Sequence, residues 1–558
     1  MLASLFNPKN KKYSNLLTIG CLLFLLLIVF FAFFYGMASY PILDMNEGLY
    51  AEIAREMLAS GNYIIPHLNH APYLEKPPML YWLIVLSYKT FGVSTFAARL
   101  IPALSSTLTC LALIFLSKKI GRPKSGFMAA LILASGVGFV IIGRVVFFDM
   151  LLTASLTFSL CFFFIWYKNE NSFYLRLAYV FLGLAFLTKG LLPVAIAGGT
   201  AILFLWLTKT PKTKFLKFFS PTGIILFLLI IIPWLILATI KLPGFAWDYF
   251  INEQVYRFLD KRIPADYHTG PIYYYIPRIF AYLFPWSLFI PTLFGRIRNK
   301  IHQQDSLKLF LWLWFLVPFI FFSLAGDKGD YYMVLGMPPL AMLIGIKIES
   351  YIATQKDAVF EVIFSLITIL LLGATIYLLL TETMSAQMAN PLMILLASLL
   401  AYTIIGSILI CKYRKPLLSF FLMTICIIPL IIFFINFKSK TQDEYSQITI
   451  ANYIQTHDSK RPIYLFRNYE RISSILFLLQ KPIPIIDSVS KDLYFGSHTD
   501  QAKDWFITKD DFLKIANKQN CYVVLLKKKA DEFHSKINPP DFHVVSQSGK
   551  TLLMSNQK

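Results

Sequence analysis

The chain has 558 residues, of which 57% are hydrophobic and only 15% are charged. Soluble domains are about 25% charged, so this composition excludes an ordinary soluble protein and indicates a membrane protein. The net charge of +21 does not indicate nucleic-acid binding, because lysine and arginine fall in short clusters between apolar runs, as in multi-pass membrane proteins. The six cysteines form neither a CxxC pair nor a zinc-ligand spacing, which argues against a disulfide or zinc framework.

Apolar runs long enough to cross a membrane recur through the first 437 residues. The first run is too long for a signal-peptide core and is predicted to be a retained helix. About thirteen spans are predicted, near residues 16–38, 97–117, 125–143, 150–167, 174–188, 191–208, 222–240, 276–295, 307–323, 333–348, 359–380, 392–410 and 417–436. Basic clusters lie at alternate helix ends, and this bias assigns those ends to the cytoplasm.

The opposite, outer face then receives the polar segments of the membrane domain. They are the first loop at 39–96, Arg144 to Asp149, Thr188 to Gly190, the long loop at 241–275, and Asp327 to Tyr332. Because charges near hydrocarbon are costly, such a collection by default indicates a functional site. The sequence therefore predicts one extracytoplasmic active site in a membrane domain of residues 1–437.

The first loop has the clearest local pattern. Apolar residues from Tyr50 to Leu58 follow helical spacing, Asp44 or Asn46 can cap the start, and Gly61 can end the helix. This helix is predicted to lie in the membrane interface with its apolar face toward lipid. A second helix is predicted to begin at Pro77 or Pro78. Without further information, the charges could equally belong to an interfacial loop held by salt bridges.

Residues 438–558 change character, because no spanning run remains and lysine, aspartate and asparagine become frequent. Short apolar runs at 463–466, 521–526 and 551–554 are typical of strands. We predict a small α/β domain outside the membrane, on the outer face. Its Lys527 to Lys529 run is interpreted as a solvated face, with anionic lipid as an alternative partner.

Two stretches of the first loop, Asn46 to Gly61 and Tyr73 to Trp82, resemble the signature of the lipid A aminoarabinose transferases. Those enzymes belong to the GT-C class of glycosyltransferases, which also includes protein O-mannosyltransferases. Further similarities are Phe148-Asp149-Met150, Arg257-Phe258, His268 with Pro271, Pro285-Trp286, Tyr331 to Val334, and Pro338 to Ala341. The family usually has adjacent Asp-Glu and an arginine before the tyrosine, whereas this chain has Asn46-Glu47 and Leu49.

The resemblance implies a polytopic helical GT-C fold and an enzyme of the bacterial inner membrane. It implies transfer of 4-amino-4-deoxy-L-arabinose, with inversion, from an undecaprenyl-phosphate donor to a lipid A phosphate, with no nucleotide cofactor. The added positive charge would weaken the attraction of cationic antimicrobial peptides. Another sugar, such as galactosamine or a hexose, and a protein acceptor remain open. The alternative class, a transporter of lipid-linked sugar, is disfavoured because the helix interiors carry almost no charge.

The resemblance, together with the charge chemistry, assigns roles to several residues. Preorganised cations stabilise an anionic leaving group, so Lys76 and Arg257 are the candidates for the donor phosphate, although each could instead pair with a neighbouring glutamate. The remaining candidates are Tyr331 and Tyr332 at the donor phosphate or as headgroup anchors, Asp149 facing the donor sugar or capping its helix, and Asp44 and Glu47 as catalytic carboxylates. The resemblance also implies a zinc-like divalent metal shared by Glu75 and His268, whereas a lone loop histidine is otherwise a solvated or capping residue.

Overall fold

The computed structural model describes residues 11–265, 270–294, 306–354, 358–381, 386–413, 415–537 and 542–557. The chain is helical as far as residue 440, and a six-stranded sheet follows. The helices of the first 265 residues are α1 (Lys11–Val29), α2 (Asn46–Ser60), α3 (Met79–Phe91), α4 (Thr95–Lys119), α5 (Pro123–Ser135), α6 (Val137–Ile142), α7 (Phe148–Asn169), α8 (Ser172–Lys189), α9 (Leu192–Leu207), α10 (Lys212–Phe218), α11 (Pro221–Lys241) and α12 (Phe245–Trp247).

The later helices up to residue 440 are α13 (Tyr275–Leu283), α14 (Ile290–Leu293), α15 (Ser306–Leu324), α16 (Met337–Ala353), α17 (Ala358–Thr381), α18 (Ala386–Tyr413), α19 (Pro416–Ile425) and α20 (Ile427–Lys440). Two segments, Phe30–Phe34 and Asp248–Tyr256, are wider π-helical turns, and Trp286–Phe289 and Tyr332–Gly336 are tighter 3₁₀ turns. Such irregular turns often occur at functional sites.

Within the described residues, seven helical stretches are long and apolar enough to cross a membrane, or eight if one bent pair is a single span. Several predicted spans are therefore present as shorter or broken helices, and the count of thirteen is not confirmed. The predicted span at 276–295, for example, bends by 111° between Leu283 and Trp286, because Pro285 cannot continue the hydrogen-bond ladder. The predicted span at 125–143 is broken at Gly136, whose backbone is extended.

The apolar helices divide into a buried centre and an outer layer. Helix α7 packs between α4 and α8, and nearly all of its side chains are buried. Helix α11 instead exposes large aliphatic side chains, among them Leu229 at 65% and Ile240 at 73%. Exposing this much apolar surface to water would be costly, so the outer layer faces lipid. The chain is a multi-pass membrane protein, as its composition predicted.

The segment after residue 441, here named the C-terminal sheet region (residues 442–557), carries the mixed sheet. Its strands are β3 (Ile463–Phe466), β4 (Ile485–Ile486), β5 (Phe506–Ile507), β6 (Tyr522–Leu526), β7 (His543–Ser548) and β8 (Thr551–Ser555), and its helices are α21 (Gln442–Tyr445), α22 (Ile448–His457), α23 (Ser474–Leu479), α24 (Tyr494–Ser497), α25 (Lys509–Ala516) and α26 (Ala530–Ile537). The strand order is β5-β4-β3-β6-β8-β7. Strands β3 to β6 pair in parallel, and β8 pairs antiparallel with β6 and β7. All three predicted strands are present.

The first loop is packed against this region. Its helix α2 ends at Gly61 as predicted, in the left-handed conformation, but Met45 precedes its first residue and no side chain caps the start. The prediction that Asp44 or Asn46 caps the helix is therefore wrong, and the Asp44 carboxylate instead accepts hydrogen bonds from Ser474 and Gln447. Ten of the fifteen residues of α2 are buried, and its apolar side chains share one core with Ile450, Ile475 and Leu476. The predicted orientation toward lipid is therefore wrong, because the sheet region covers that face. A two-stranded hairpin, β1 (His67–Leu68) and β2 (Ala71–Pro72), connects α2 to the segment that begins α3.

Candidate active site

A cavity of about 330 Å³ opens where the first loop meets the ends of α8, α9 and α15 and the π-helical segment Asp248–Tyr256. One part of its wall is polar and includes Glu75, Lys76, Lys189, Arg257, Asp327 and Tyr332. Its apolar lining residues include Leu191, Leu192, Phe258, Leu259, Phe321 and Phe322. A ligand with an anionic group attached to a hydrocarbon chain could contact the cations of this wall with its anionic group and the apolar residues with its chain.

Lys76 reaches the cavity from the turn before α3. Pro77 and Pro78 follow it directly, and the fixed φ of proline is compatible with the start of a helix. The ammonium nitrogen lies 3.4 Å from Oε2 of Glu75, and the side chain is only 12% exposed. The lysine is therefore a partly desolvated point charge at the polar end of the cavity.

Arg257 follows the π-helical segment, which widens the turn that carries it. Its Nε donates to Asp327 at 3.1 Å, and its Nη1 lies 3.3 Å from Glu253 and 3.9 Å from Glu75. Burial lowers the pKa of this guanidinium, but Tyr332 and the three carboxylates outweigh that effect and raise it well above its ordinary value. Arg257 is thus a permanently charged group held in a fixed orientation.

Glu75 lies at the centre of the cation cluster. Besides Lys76 and Arg257, it forms an ion pair with Arg262 and accepts a hydrogen bond from the hydroxyl of Tyr73 at 3.3 Å. Burial raises the pKa of the Glu75 carboxyl, but the three neighbouring cations more than offset this and hold it below its usual range. The carboxylate is therefore ionised, and it is a shared partner of the three cations.

Asp149 and Lys189 form a second charged pair at the cavity, with 2.7 Å between Nζ and Oδ1. Asp149 stands in the first turn of α7 and Lys189 in the last turn of α8, where the helix dipoles favour a negative and a positive charge respectively. The Lys189 ammonium also lies 4.4 Å from the ring centre of Tyr332. The pair is thus held by two central helices.

The two neighbouring tyrosines face different partners. Tyr332 lines the cavity and donates to Asp327 at 2.6 Å. Tyr331 stacks on Phe147 with 4.8 Å between ring centres, and its hydroxyl accepts a 3.4 Å hydrogen bond from Asn46. Tyr332 can therefore reach a ligand in the cavity directly, whereas Tyr331 belongs to the adjoining wall, near Lys189.

The two other predicted carboxylates lie outside this cavity. Glu47 is 1% exposed and pairs with Arg99 through two hydrogen bonds of 2.8 and 2.7 Å. Asp44 accepts hydrogen bonds from the Ser474 amide at 3.0 Å, the Ser474 hydroxyl at 2.7 Å and the Gln447 side chain at 2.7 Å. Glu47 therefore binds the first loop to α4, and Asp44 binds the first loop to the C-terminal sheet region.

The predicted metal pair is only half described, because His268 lies outside the described residues. Glu75 is paired with Arg262, Lys76 and Arg257, and the shared metal remains a prediction. Among the described residues, no group of three histidine, cysteine, aspartate or glutamate side chains could hold a metal ion. We derive no step through a metal.

Several residues of the cluster had no predicted role. Lys189 and Asp327 lie in polar segments that topology assigned to the outer face, but neither residue was given a chemical role. Glu253 and Arg262 lie in the long loop, where Arg262 Nε donates to Glu253 at 2.6 Å. Their spacing carries no motif, so only the folded loop brings them to Glu75.

Comparisons with known proteins agree with this architecture. Residues 75–237 match the family model described as dolichyl-phosphate-mannose-protein mannosyltransferase, a span that includes Lys76, Asp149 and Lys189. An undecaprenyl phosphate-alpha-4-amino-4-deoxy-L-arabinose arabinosyl transferase of Enterobacter sp. is 31% identical over 385 residues, 65% of this chain and 66% of the relative. A second transferase of that name, from Proteus mirabilis, is 34% identical over 57% of this chain and 58% of the relative.

Solved structures extend the similarity to the whole fold. The crystal structure of ArnT from Cupriavidus metallidurans bound to undecaprenyl phosphate superimposes with a TM-score of 0.83 at 20% identity, covering 96% of this chain and 98% of that one. An oligosaccharyltransferase of Archaeoglobus fulgidus matches with a TM-score of 0.54 at 11% identity, over 93% and 71% of the two chains. These values show a shared GT-C fold.

The resemblance predicted from the first-loop motifs is therefore confirmed. The sequence alignments span about two thirds or less of the curated relatives, from 58% to 66% in the examples given. The fold extends over nearly the whole chain, including the C-terminal sheet region.

Proposed function

From this similarity in sequence and fold, we propose that the chain is a GT-C glycosyltransferase that moves 4-amino-4-deoxy-L-arabinose from undecaprenyl phosphate to a phosphate of lipid A. The observation that carries the proposal is the two-part wall of the cavity. Lys76, Lys189 and Arg257 offer positive charge for a phosphate, and the neighbouring Leu191 and Phe258 offer apolar surface for the polyprenyl chain. A cation cluster on its own would not require a lipid-linked ligand.

The donor phosphate is the leaving group of this reaction, and negative charge builds on it as the glycosidic bond breaks. Lys76 supplies a point charge and Arg257 a planar fork, and both are held in place before the ligand arrives. Preorganised cations of this kind usually provide a large share of the rate acceleration. Tyr332 can add a hydrogen bond to the same phosphate.

The acceptor determines how strong a base the site requires. A phosphate monoester has its second pKa near 6, and so it already presents an anionic oxygen at neutral pH. Transfer to lipid A therefore needs no strong base, which is consistent with the structural contacts of Asp44 and Glu47. We leave these two out of the catalytic set. Asp149 remains as the carboxylate that faces the donor sugar.

Two further parts of the proposal concern the cellular location of the protein and its division into two units. We infer that the enzyme resides in the bacterial inner membrane with its cavity and residues 438–558 on the periplasmic side, because lysine and arginine cluster at the opposite helix ends. We also infer two units divided near residue 437, since α20 ends at Lys440 and the sheet region follows.

The decisive experiment measures transfer by the purified protein in detergent, where transport has no meaning. The protein is incubated with undecaprenyl-phosphate aminoarabinose and lipid A, and the products are analysed by mass spectrometry. We expect lipid A to gain one pentosamine, and we expect Lys76→Ala to retain less than about 1% of this activity. Lys509→Ala, an exposed lysine of the C-terminal sheet region, is the matched control and should behave like wild type.

A second candidate acceptor is a protein hydroxyl, favoured by the family description matched at residues 75–237. A hydroxyl needs a base, and Asp149 would then have to supply it. Incubating the same protein with lipid-linked hexose and a serine- or threonine-rich peptide tests this candidate. Glycosylated peptide together with unmodified lipid A would overturn the lipid A proposal.

A further inference from the structure

A second cavity, of about 380 Å³, lies between the end of α2, the hairpin β1–β2 and the C-terminal sheet region. It has no lining residue in common with the first cavity, at which Lys76 and Arg257 lie. Its wall includes Ser60, Asn62, His67, His70, Gln501 and Trp505. The proposed transfer reaction gives this second cavity no role, although its volume is in the range of small-molecule sites.

The second cavity carries little charge. Among the described residues, no lysine or arginine lines it. The carboxylate of Glu56 borders it, but this group already accepts hydrogen bonds from the backbone amides of Asn69 at 2.8 Å and His70 at 2.6 Å. Burial lowers the pKa of His67 and of His70, so both rings are neutral at neutral pH. A phosphate would find no counter-charge here, and the cavity suits an uncharged ligand.

The wall combines aromatic surface with unused hydrogen-bond donors. The rings of His70 and Trp505 stack with 4.5 Å between their centres. Asn62 uses its side-chain oxygen to accept from two backbone amides, at 3.3 and 3.4 Å, whereas in the described part of the chain the side-chain N–H groups of Asn62 and Trp505 donate to no protein atom. A sugar ring offers the matching features, because it has C–H faces for aromatic rings and hydroxyl groups for donors and acceptors.

His70 occupies a backbone position that favours glycine. Asn69 and His70 are the two turn residues of the hairpin, and their φ angles are +55° and +62°. Two-residue turns of this kind prefer asparagine followed by glycine, because a side chain at the second position is strained. Such strain is commonly found where a residue has a functional role. The side chain that the chain keeps at this position is the ring that stacks on Trp505.

The cavity lies next to a segment that is bound to the membrane helices. Directly after Asn62, the carbonyl oxygen of Tyr63 accepts from Trp82 of α3 at 2.7 Å. The carbonyl oxygen of Ile64 accepts from Trp234 of the apolar helix α11 at 2.9 Å. Tryptophan is enriched where a membrane meets water, so this segment lies near the lipid headgroups. A sugar attached to a membrane lipid can therefore reach the cavity.

We propose that the second cavity is a saccharide site that binds an uncharged sugar ring of a membrane glycolipid, with the ring against His70 and Trp505 and its hydroxyl groups bonded to Asn62 and Gln501. The glycolipid is the acceptor lipid A, and this identification rests on the proposed function. The recognition of a sugar does not depend on it. The hairpin that carries His70 continues into the segment that carries Lys76, so the two cavities lie along one loop.

The binding test uses N,N′-diacetylchitobiose, an uncharged disaccharide, with the full chain in a detergent that carries no sugar. Saturation-transfer NMR should show binding to wild type. Gln501→Ala should weaken it at least about tenfold, because the amide no longer bonds to a hydroxyl group. Gln547→Ala is the matched control, since Gln547 is an exposed glutamine outside the cavity. Absence of binding to wild type, or equal binding by Gln501→Ala, would overturn the saccharide site.

His70→Gly separates sugar binding from a structural role of the ring. Glycine suits the left-handed turn, so the variant should keep the melting temperature of wild type. Its affinity for the disaccharide should nevertheless fall at least about tenfold, because the aromatic surface is reduced. A purely structural stack predicts the reverse, a lower melting temperature with unchanged disaccharide binding, and this result would contradict the proposal.

Transfer kinetics decide the source of the sugar. Gln501→Ala should raise the KM for lipid A about tenfold and leave the KM for undecaprenyl-phosphate aminoarabinose within about twofold of wild type. Disaccharide binding with an unchanged KM for lipid A would assign the cavity to a soluble saccharide and overturn the glycolipid proposal. If wild type transfers no sugar to lipid A, the proposed function has failed, and the disaccharide measurements still decide the saccharide site.

Discussion

Residues 44–56 and residues 73–76 belong to the same loop and carry similar charges, but their carboxylates meet different partners. In the first stretch, Glu47 pairs with Arg99, and Glu56 accepts two backbone hydrogen bonds from Asn69 and His70. In the second stretch, Glu75 faces a cluster of cations beside a cavity. The fixed partners of a carboxylate, more than its neighbours in sequence, decide whether it is available for chemistry.

Substitutions of the cations that line the cavity should lower the transfer activity most, because these cations act on the leaving group. Arg257→Ala is expected to lower kcat/KM at least about 100-fold. Arg257→Lys should recover only part of this loss, since lysine lacks the planar fork. Both are measured by the transfer assay in detergent, with Arg471→Ala, an exposed arginine of the C-terminal sheet region, as control. Wild-type activity in Arg257→Ala would remove Arg257 from the proposed site.

Asp149→Asn tests the second charged pair, because it removes a negative charge while leaving the cations in place. Transfer should fall about 10- to 100-fold, and undecaprenyl phosphate alone should bind at least as tightly as to wild type, since Lys189 loses its partner. Equilibrium binding and transfer are measured on the same preparation. Weaker binding of undecaprenyl phosphate, together with unchanged kcat, would contradict a role at the sugar.

Glu47→Gln changes the stretch of the first loop at residues 44–56. It should lower the stability of the folded protein and leave the transfer step itself unchanged. The substitution leaves the buried guanidinium of Arg99 without its counter-charge, which costs about 3 kcal/mol. We expect a lower melting temperature in detergent and a kcat per folded molecule within about threefold of wild type. Glu444→Gln, at an exposed glutamate, controls for charge removal. A folded Glu47→Gln protein without activity would restore Glu47 to the catalytic set.

The smallest effect is expected at Asp44, where the first loop meets the C-terminal sheet region. Burial raises the pKa of Asp44 to about 6, against the opposing hydrogen bonds from Ser474 and Gln447. Because the folded pKa lies above the unfolded value, the stabilising contribution is present at low pH and is lost as pH rises through about 6. Between about pH 5 and pH 7 the loss is about 1 kcal/mol.

Asp44→Asn should lack this dependence, so the difference in melting temperature between variant and wild type should change between the two pH values. Ser459→Ala, which alters a solvated turn of the same region, serves as control. A constant difference across the pH range would show that Asp44 does not titrate there.

Sequence patterns predicted much of the fold because local rules determine it. The α2 helix and the strands at 463–466, 522–526 and 551–555 follow from periodicity, and the end of α2 at Gly61 follows from the preference of glycine for the left-handed conformation. Periodicity identifies the face of α2 that must be buried, but it does not identify what covers that face. The covering residues, such as Ile475, are some four hundred positions away, which is why the lipid-facing prediction was wrong.

The sequence likewise predicted some residues of the candidate site and missed others. Lys76, Arg257 and Tyr332 line the cavity, with Asp149 beside them, since charged motifs on one face of a membrane protein have few other places to meet. Glu253 and Arg262 had no motif to mark them. Their positions beside Glu75 depend on how the long loop folds against the first loop, and a single sequence carries no trace of that contact.

The pairing between Asn69 and Ile483 has a consequence for biosynthesis. These residues exchange two hydrogen bonds of 2.7 and 2.8 Å across 414 positions of sequence. At typical translation rates of 5 to 20 residues per second, the ribosome needs about 20 to 80 s to pass from one to the other. During that interval the nascent first loop has an incomplete core, so ribosome stalling or premature termination before residue 483 would yield a product whose first loop is open to proteases.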